Sequence, residues 1–454
     1  MARVSKLRLD GDRLTDLMNI GVLTSRFPLA RVHEVLKETG RESQRQRDLP
    51  AHVMVYYTIA MALYRPEGTR EVLRLLLEGL RAVLGLGVRV QPAGTSAISQ
   101  ARSRLGVEPM QRLYTQEVRP VAQPQTQGAF YRTWHLMALD GFTLEVPDTE
   151  ANDREFGRPA SPSGGRSAYP LVRGVGLVEV GTHVIFGAVL GRYDQGEVTL
   201  ARAVVPRLGP GMLCLADRYF PGFELWSQAT STGADLVWRV RRRIRLPVEV
   251  ELPDGSYLSR IHPPRVKGEP RGSGIPVRVI TYRVNTPEGK MEEVRLLTSI
   301  LDPELAPAAE LAGLYHERWE FETALDEFKT HLRGASTVLR SQTPELVRQE
   351  VYGLLLAHFA LRGLMHEAAL HAGRDPDRIS FIHTVRVVRR TLPRFAALPP
   401  SGMEKPAPSG AGRDPRGRRR SASATASETR GEAQAEPLPR ATTNPAVPAG
   451  VQDH

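Results

Sequence analysis

The sequence of 454 residues contains a single cysteine, Cys214. One thiol cannot close an intrachain disulfide, and it cannot build a cysteine-based zinc site. Cys214 lies in the uncharged apolar segment GMLCLA, a context that indicates a buried packing role rather than a reactive thiol. A fold held together by disulfides or by zinc thiolates is therefore excluded.

Long hydrophobic runs are also missing. The N-terminal residues lack the apolar region of a signal peptide. The longest uncharged apolar stretch covers residues 51–64, which is too short to span a bilayer and predicts a buried helix instead. We therefore expect a cytoplasmic protein without a membrane partner.

Three segments resemble known ligand-binding motifs, but each lacks a defining residue or the required spacing. The segment HEAALH, from His366 to His371, does not have the spacing of a metalloprotease pair. The segment GVGLVEVG lacks the third glycine of a dinucleotide site, and SPSGGR lacks the lysine of a phosphate-binding loop. The chemistry must be sought in other residues.

Basic residues outnumber acidic ones by 61 to 50, which gives a formal charge of +11. Arginine is used far more than lysine, and a guanidinium group can bind phosphate through two parallel hydrogen bonds. Nucleic acid is thus the first partner to consider. Net charge alone is equally compatible with a basic protein of another kind.

Pattern and composition divide the chain into three regions. Residues 1–125 predict an all-helical domain whose basic faces could bind DNA or form a packing or dimerisation bundle. Residues 126–398 predict a mixed α/β domain, with two hairpins forming a β insertion at about 243–300. Residues 399–454 are rich in Pro, Ser, Ala, Gly and Arg, and we expect them to be disordered.

Two local patterns make sharper predictions. The segment TSAISQARSRLG predicts a helix with Thr95 or Ser96 as its N-cap and Gly106 at its end. The segment WHLMALDGFTLEVP, which begins at Trp134, predicts a strand, a turn and a second strand.

Two aspartates follow apolar strand-like runs. Asp140 comes after HLMAL and Asp217 after MLCLA. Strand ends are where open α/β sheets place their sites, and an acid there needs a partner or a cation. Together with a helix glutamate, they could form an oxygen cage for Mg²⁺, and two such ions can promote phosphoryl transfer. Each aspartate could instead be a turn or cap residue.

The segment YHERWEFETALDEFK supplies such a glutamate. Residues 314–333 contain no proline or glycine and predict a helix. On an ideal helix, four polar residues then fall within an arc of about 60°. They are Tyr315, Arg318, Glu322 and Lys329. An apolar stripe lies beside them, so an ordinary amphipathic helix with charge pairs is the alternative.

Five arginines are concentrated in the segment WRVRRRIR, from Trp238 to Arg245. Beside a carboxylate site, Arg239 and Arg241 would be candidates to contact a phosphate backbone. The alternative is a solvated strand edge.

The order and spacing of these blocks resemble a known family. Tyr315, Arg318, Glu322 and Lys329 match the Y-(2)-R-(3)-E-(6)-K pattern of bacterial DDE transposases of the insertion sequence 4 family. The segment LDGFTLEVPDTEANDREFG resembles the family's first-aspartate block, although Phe142 intervenes before Thr143, and LADRYF resembles the second. The resemblance covers about residues 10–400.

The resemblance implies a ribonuclease H-like catalytic core with a β-strand insertion, preceded by the helical N-terminal domain. Asp140, Asp217 and Glu322 would be the catalytic triad and would hold two Mg²⁺ or Mn²⁺ ions. Tyr315, Arg318 and Lys329 would contact DNA phosphates, and we predict that Trp238 stacks on a displaced base.

The implied function is cut-and-paste transposition, with cleavage at terminal inverted repeats followed by strand transfer. Partners would be the double-stranded transposon ends, target DNA and a second copy of the chain, in association with the nucleoid. The alternatives are an inactive DNA-binding relic or repressor of transposition, a helical interaction protein with structural acids, and a different nuclease on the same fold.

Overall fold

A computed structural model describes most of the chain up to residue 395. The described residues are 8–9, 12–13, 20–45, 49–84, 93–159, 169–264, 272–285, 291–332 and 338–395. They belong to one compact unit. The disorder predicted for the tail from residue 399 lies outside these residues.

The N-terminal region is mainly helical, as its apolar periodicity predicts. Its helices are Ile20–Arg26, Leu29–Glu38, Ala51–Leu63, Thr69–Leu84, Thr95–Leu105 and Glu108–Glu117. The all-helical prediction is wrong at the start of the chain, where β1 (Arg8–Leu9) and β2 (Asp12–Arg13) form a short antiparallel pair.

The helix Thr95–Leu105 confirms one predicted boundary and corrects the other. It ends at Gly106, whose φ of 74° lies in the left-handed region that glycine adopts readily. Its N-cap is Gly94, and no side chain caps the first turn, so the N-cap predicted at Thr95 or Ser96 is wrong.

A ten-stranded mixed sheet forms the centre of the molecule. Its strand order is β6-β5-β4-β7-β8-β12-β11-β10-β9, with β3 paired to β4. The strands are β3 Phe130–Tyr131, β4 Trp134–Glu145, β5 Leu171–Glu179, β6 Val184–Arg192, β7 Met212–Ala216, β8 Asp235–Val240, β9 Val250–Glu251, β10 Tyr257–Ile261, β11 Ile275–Asn285 and β12 Met291–Thr298. Strands β4, β7 and β8 are parallel to one another. Strand β5 is antiparallel to β4, and β6 is antiparallel to β5. This mixed α/β arrangement fits a ribonuclease H-like core.

Strand β4 runs straight through the turn predicted near Asp140. Gly141 and Phe142 pair with Val175 and Gly174 of β5, so the strand continues to Glu145. The buried Phe142 ring fills the space that a side chain on Gly174 would need. The strand–turn–strand prediction is therefore wrong, because Phe142 packs into the core instead of leaving the sheet.

The two hairpins predicted between residues 243 and 300 are present and extend the sheet. Strand β9 pairs with β10, and β11 pairs with β12, in both cases antiparallel. Strand β12 then lies antiparallel beside β8, so the inserted strands continue the central sheet. Pro287 and Gly289, predicted for the second turn, lie outside the described residues.

Helices connect the strands and cover the sheet. They are Glu150–Phe156, Glu197–Val204, Phe223–Ser231, Ala308–Leu314, Trp319–Asp326, Pro344–Ala372 and Phe381–Phe395, with 3-10 turns at Val205–Arg207, Tyr315–Arg318 and Pro376–Arg378 and a π-helical turn at Glu327–His331. The long helix Pro344–Ala372 is buried along most of its length.

Buried polar contacts join this long helix to the N-terminal helices. Arg65 Nη1 lies 2.6 Å from Glu350 Oε1, and each of these side chains is 3% exposed. Arg102 Nε donates to Gln349 Oε1 at 2.8 Å, and the buried Gln349 amide donates to the Gly106 carbonyl at 2.6 Å. N-terminal residues and sheet residues also share one hydrophobic core.

Candidate active site

The parallel pairing of β4 and β7 brings the two aspartates close together near the carboxyl end of β7. Leu139 is the register partner of Ala216, so Asp140 and Asp217 are the next residues on neighbouring strands. Asp217 follows the end of β7, as predicted, whereas Asp140 lies inside β4, not at its end. These two acids are therefore neighbours because of the parallel register of β4 and β7, and not because both lie at the end of a strand.

Asp140 lies in a largely buried environment that contains both acidic and basic side chains. Burial raises the pKa of its carboxyl group to about 6. The Gly141 amide, which donates to Asp140 Oδ1 at 2.8 Å, and Arg318 oppose this rise, whereas the charges of Asp217 and Glu197 add to it. A carboxylate in such surroundings favours a bound cation.

The helical segment that carries the third acid is less regular than predicted. It begins at Ala308, passes through the 3-10 turn Tyr315–Arg318 and the α-helix Trp319–Asp326, and continues into the π-helical turn Glu327–His331. The predicted apolar stripe is correct: Phe321, Leu325, Phe328 and Leu332 are buried. The ring of Phe328 packs edge-on against Phe142, which fastens this segment to β4.

Arg318 connects the helical segment to the sheet. Its Nη1 donates to Asp140 Oδ2 at 3.0 Å, across 178 residues of sequence, and its Nη2 lies 3.2 Å from Glu322 Oε1. The guanidinium therefore bridges two of the three predicted triad acids. Glu322 itself is 47% exposed, so one side of its carboxylate faces solvent.

Tyr315 lies deeper than the rim position predicted for it. Its side chain is buried, and burial raises the pKa of its hydroxyl group. The hydroxyl donates to the carbonyl of Ala216, at 3.3 Å, directly before Asp217. In this structure the Tyr315 hydroxyl contacts the strand end, and the phosphate contact predicted for Tyr315 would require the hydroxyl to leave the Ala216 carbonyl. Lys329 lies half-buried in the π-helical turn.

The base-stacking role predicted for Trp238 is wrong. Its side chain is fully buried, and its ring packs edge-on against Trp226 at a centroid distance of 5.2 Å. The helix Phe223–Ser231, which carries Trp226, packs against β8 and covers the face that carries Trp238. No nucleic-acid base can reach this ring in the folded protein.

Two aromatic residues that the sequence did not single out are exposed near the predicted site. Tyr219 is 52% exposed, two residues after Asp217, with the Arg241 guanidinium over its ring at 4.5 Å. Trp319 is 57% exposed next to Arg318. On an ideal helix Trp319 lies about 150° from the centre of the apolar stripe, and this position could have predicted its exposure. Arg239 forms an ion pair with Glu292 of β12.

A second polar cluster lies on another face of the same helical segment. Within the described residues, His183, Glu320 and Asp377 place potential metal-ligand atoms within 4.8 Å of one another. This group does not include the predicted triad. Arg362 lies 3.0 Å from Glu327 and 3.7 Å from Asp377, so a guanidinium already supplies positive charge there.

Comparison with known proteins agrees with this geometry. The family model described as the insertion element 4 transposase N-terminal region matches residues 17–115, and the transposase DDE domain model matches residues 135–360. The transposase InsG of insertion sequence element IS4 from Escherichia coli is 30% identical over 371 residues, covering 80% of each chain. The chain belongs to the insertion sequence 4 family of DDE transposases.

One further relative and one solved structure are similar over different lengths. The putative transposase InsZ from Escherichia coli is 24% identical over 216 residues, which are 47% of this chain and 68% of InsZ. A cryo-EM structure of the piggyBac transposase synaptic complex with hairpin DNA aligns with 84% of this chain and 82% of its own, at 12% identity and a TM-score of 0.43.

As a DDE transposase, the protein is an enzyme of DNA transposition that depends on a divalent metal and acts on DNA. Among the described helices, none has the length and apolar character needed to cross a membrane. The oxygen donors around Arg318 suit a hard divalent cation, because Mg²⁺ and Mn²⁺ prefer carboxylate ligands.

Proposed function

We propose that Asp140, Asp217 and Glu322 form the catalytic triad of this transposase. The observation that carries the proposal is the Arg318 bridge, which contacts Asp140 and Glu322 at 3.0 and 3.2 Å. The register of β4 and β7 supplies the third acid, Asp217, beside Asp140.

The same three acids would hold two Mg²⁺ or Mn²⁺ ions. When bound, such ions stabilise the attacking and the leaving oxygen during phosphoryl transfer. Asp140 and Asp217, fixed on the sheet, would keep their ligand atoms in place, while Glu322 would complete the site from the more exposed helix. Arg318 would turn from the carboxylates towards a DNA phosphate as the cations enter.

The reaction that we propose is cut-and-paste transposition. Water would cleave one strand at each terminal inverted repeat, and the freed 3′-hydroxyl would attack the opposite strand, which forms a hairpin end and releases the flanking DNA. A second water would open the hairpin and regenerate the 3′-hydroxyl, which would then attack a phosphate of the target DNA. The chain's contribution is to hold the phosphate and the acids in fixed geometry, since positioning and charge stabilisation dominate this chemistry.

Arginine and lysine side chains near the triad would bind the DNA backbone. Arg318, Lys329, Arg239 and Arg241 are the candidates, because phosphate contacts dominate affinity for DNA. With Trp238 buried, Tyr219 and Trp319 are the exposed aromatic side chains that could stack on an unpaired base.

Three further parts of the proposal concern organisation. Residues 1–125 would contact DNA, residues 126–398 would carry catalysis with the insertion at about 243–300, and residues 399–454 would form a disordered tail. The active complex would be a homodimer, because two transposon ends must be joined. The enzyme would work in the bacterial cytoplasm at the nucleoid.

A cleavage assay on DNA flanking the gene tests the assignment. Purified full-length protein with Mg²⁺ should cut a labelled fragment at an inverted-repeat boundary, while the Glu322→Gln variant should bind the fragment without cutting it. Cleavage retained by Glu322→Gln would overturn the triad. Specific binding without cleavage by the unaltered protein would identify an inactive relic or repressor.

A further inference from the structure

A fourth carboxylate approaches the proposed triad from a helix between β6 and β7. Glu197 is the first residue of the helix Glu197–Val204, which packs on β5 and β6 through Leu200, Ala201 and Val204. The helix leads back across the sheet to the start of β7. Its first turn therefore lies at the end of the sheet where β7 finishes and Asp217 follows.

The Glu197 carboxyl group lies directly on the backbone beside Asp140. A methyl group placed on Gly141 would come within 2.6 Å of both Cδ and Oε1 of Glu197. Gly141 has no left-handed φ, so its backbone conformation is open to any residue. The lack of a side chain at position 141 instead makes room for the glutamate.

Within the described part of the chain, the Glu197 carboxylate has no hydrogen-bond partner and no ion-pair partner. Its charge instead acts on Asp140, where it adds to burial and to Asp217 in raising the pKa of that carboxyl. Arg318 contacts Asp140 and Glu322, so around Asp140 the negative charges outnumber the positive one.

Side chains at positions 140 and 141 of β4 point to opposite faces of the sheet, so Glu197 approaches the position of Asp140 from the other face. Two like charges that interact near the protein interior are unfavourable unless a cation lies between them. The fixed helix position and the missing side chain at residue 141 keep Glu197 there nonetheless. A divalent ion held by Asp140 would convert this repulsion into shared coordination, because carboxylate oxygens are the preferred ligands of such ions.

We propose that Glu197 is a fourth acidic residue of this active site, which binds, together with Asp140, one of the divalent cations. The inference rests on the proposed role of Asp140 as a metal ligand. Glu197 completes the ligand set from the helix side of the sheet, whereas Glu322 does so from the C-terminal helical segment.

Mn²⁺ binding to the full-length protein without DNA, measured by electron paramagnetic resonance titration, tests the inference without relying on activity. Glu197→Gln should weaken Mn²⁺ binding by ~10-fold or more, as expected for loss of a ligand. Gly141→Ala should act in the same direction, because the added methyl group displaces the Glu197 carboxylate. Glu224→Gln is the matched control, since Glu224 also lies in the first turn of a helix on this sheet.

The thermal response to Mn²⁺ provides a second readout. Loss of a repelling charge should leave the metal-free Glu197→Gln variant at least as stable as the unaltered protein, while its stabilisation by Mn²⁺ should shrink. If Asp140→Asn loses Mn²⁺ binding while Glu197→Gln binds normally, Glu197 is not a ligand and the triad stands. If Asp140→Asn also binds Mn²⁺ normally, the metal role proposed for Asp140 fails, and the inference fails with it.

Discussion

The helical segment 315–331 has two polar faces that differ in exposure and in charge balance. On one face, Arg318 forms ion pairs with Asp140 of β4 and with Glu322, which is half-exposed to solvent. On the other face, Glu320 and the buried Glu327 meet His183 and the fully buried Arg362. The first face is open to solvent, whereas the second holds the segment against the rest of the protein. Under the proposed triad, similar side chains would serve chemistry on one face and anchorage on the other.

Glu322→Gln is expected to show the largest difference between an effect on DNA cleavage and an effect on stability. Loss of a proposed metal ligand should lower DNA cleavage by at least ~100-fold. Because Glu322 is 47% exposed, the free energy of unfolding should change by no more than about 0.5 kcal/mol. Cleavage rates and urea unfolding of the same preparation measure both effects. A large loss of stability would mean that the exposed face is structural too.

On the anchoring face, the reverse pattern is expected from Arg362→Met. Arg362 is 1% exposed, and burial lowers the pKa of its guanidinium to about 10. Removing it leaves the Glu327 and Asp377 carboxylates uncompensated, which should cost about 3 kcal/mol of stability. Cleavage by the folded fraction, measured well below the unfolding temperature, should stay within about threefold of the unaltered enzyme.

A paired variant serves as the control for this buried contact. Changing Glu327 to Gln together with Arg362→Met removes both charges and should recover part of the lost stability. A double variant that is less stable than the unaltered protein by the full sum of the two single losses would show that the two side chains act independently.

The pH dependence of stability should also come from the anchoring face. Burial, followed by the charge of Glu320, raises the pKa of Asp377 to about 7. Since an unfolded aspartate has a pKa of about 4, the folded state binds more protons between these values, and the free energy of unfolding falls as pH rises through that window. Arg362, Asp375, Glu327 and His183 also face this carboxyl group.

Asp377→Asn should remove this contribution. The variant should lose less stability than the unaltered protein between about pH 5 and about pH 7.5, as measured by urea unfolding at each pH. Equal slopes in the two proteins would assign the pH dependence to other groups.

The smallest predicted effect distinguishes a half-buried arginine, Arg241, from a fully buried tryptophan, Trp238, on the same stretch of chain. Arg241→Ala should reduce the slope of log binding constant against log salt by about 1, as for one lost phosphate contact. Trp238→Phe should leave that slope unchanged and lower stability by about 1–3 kcal/mol, because Trp238 is fully buried. Salt titrations of DNA binding by both variants make the comparison.

Sequence patterns predicted the parts of this molecule that depend on local periodicity. The buried helix at 51–63, the two hairpins and the apolar stripe at Phe321, Leu325 and Phe328 follow from spacing alone. The spacing of Arg318 and Glu322 also placed both residues on one face of the segment, and the Arg318 contacts agree with that prediction.

Features that depend on neighbouring strands could not be predicted in this way. Trp238 lies in an arginine-rich stretch, but the helix that carries Trp226 packs over its strand and covers the ring. The segment around Gly141 suggested a turn, whereas the pairing of Gly141 with β5 lets strand β4 continue through this position. Glu197 comes near Asp140 only because a helix crosses the sheet, and no local pattern in the sequence marks that approach.

The buried contacts of Arg65 and Arg102 with the long helix Pro344–Ala372 bear on how such genes can evolve. Glu350 and Gln349, their partners, lie more than two hundred residues further along the chain. A recombination event that exchanged only the first third of the gene with a diverged relative would leave one side of each contact unmatched inside the protein. We therefore expect selection to favour joint inheritance of these two parts of the gene, with substitutions at these four positions occurring in pairs.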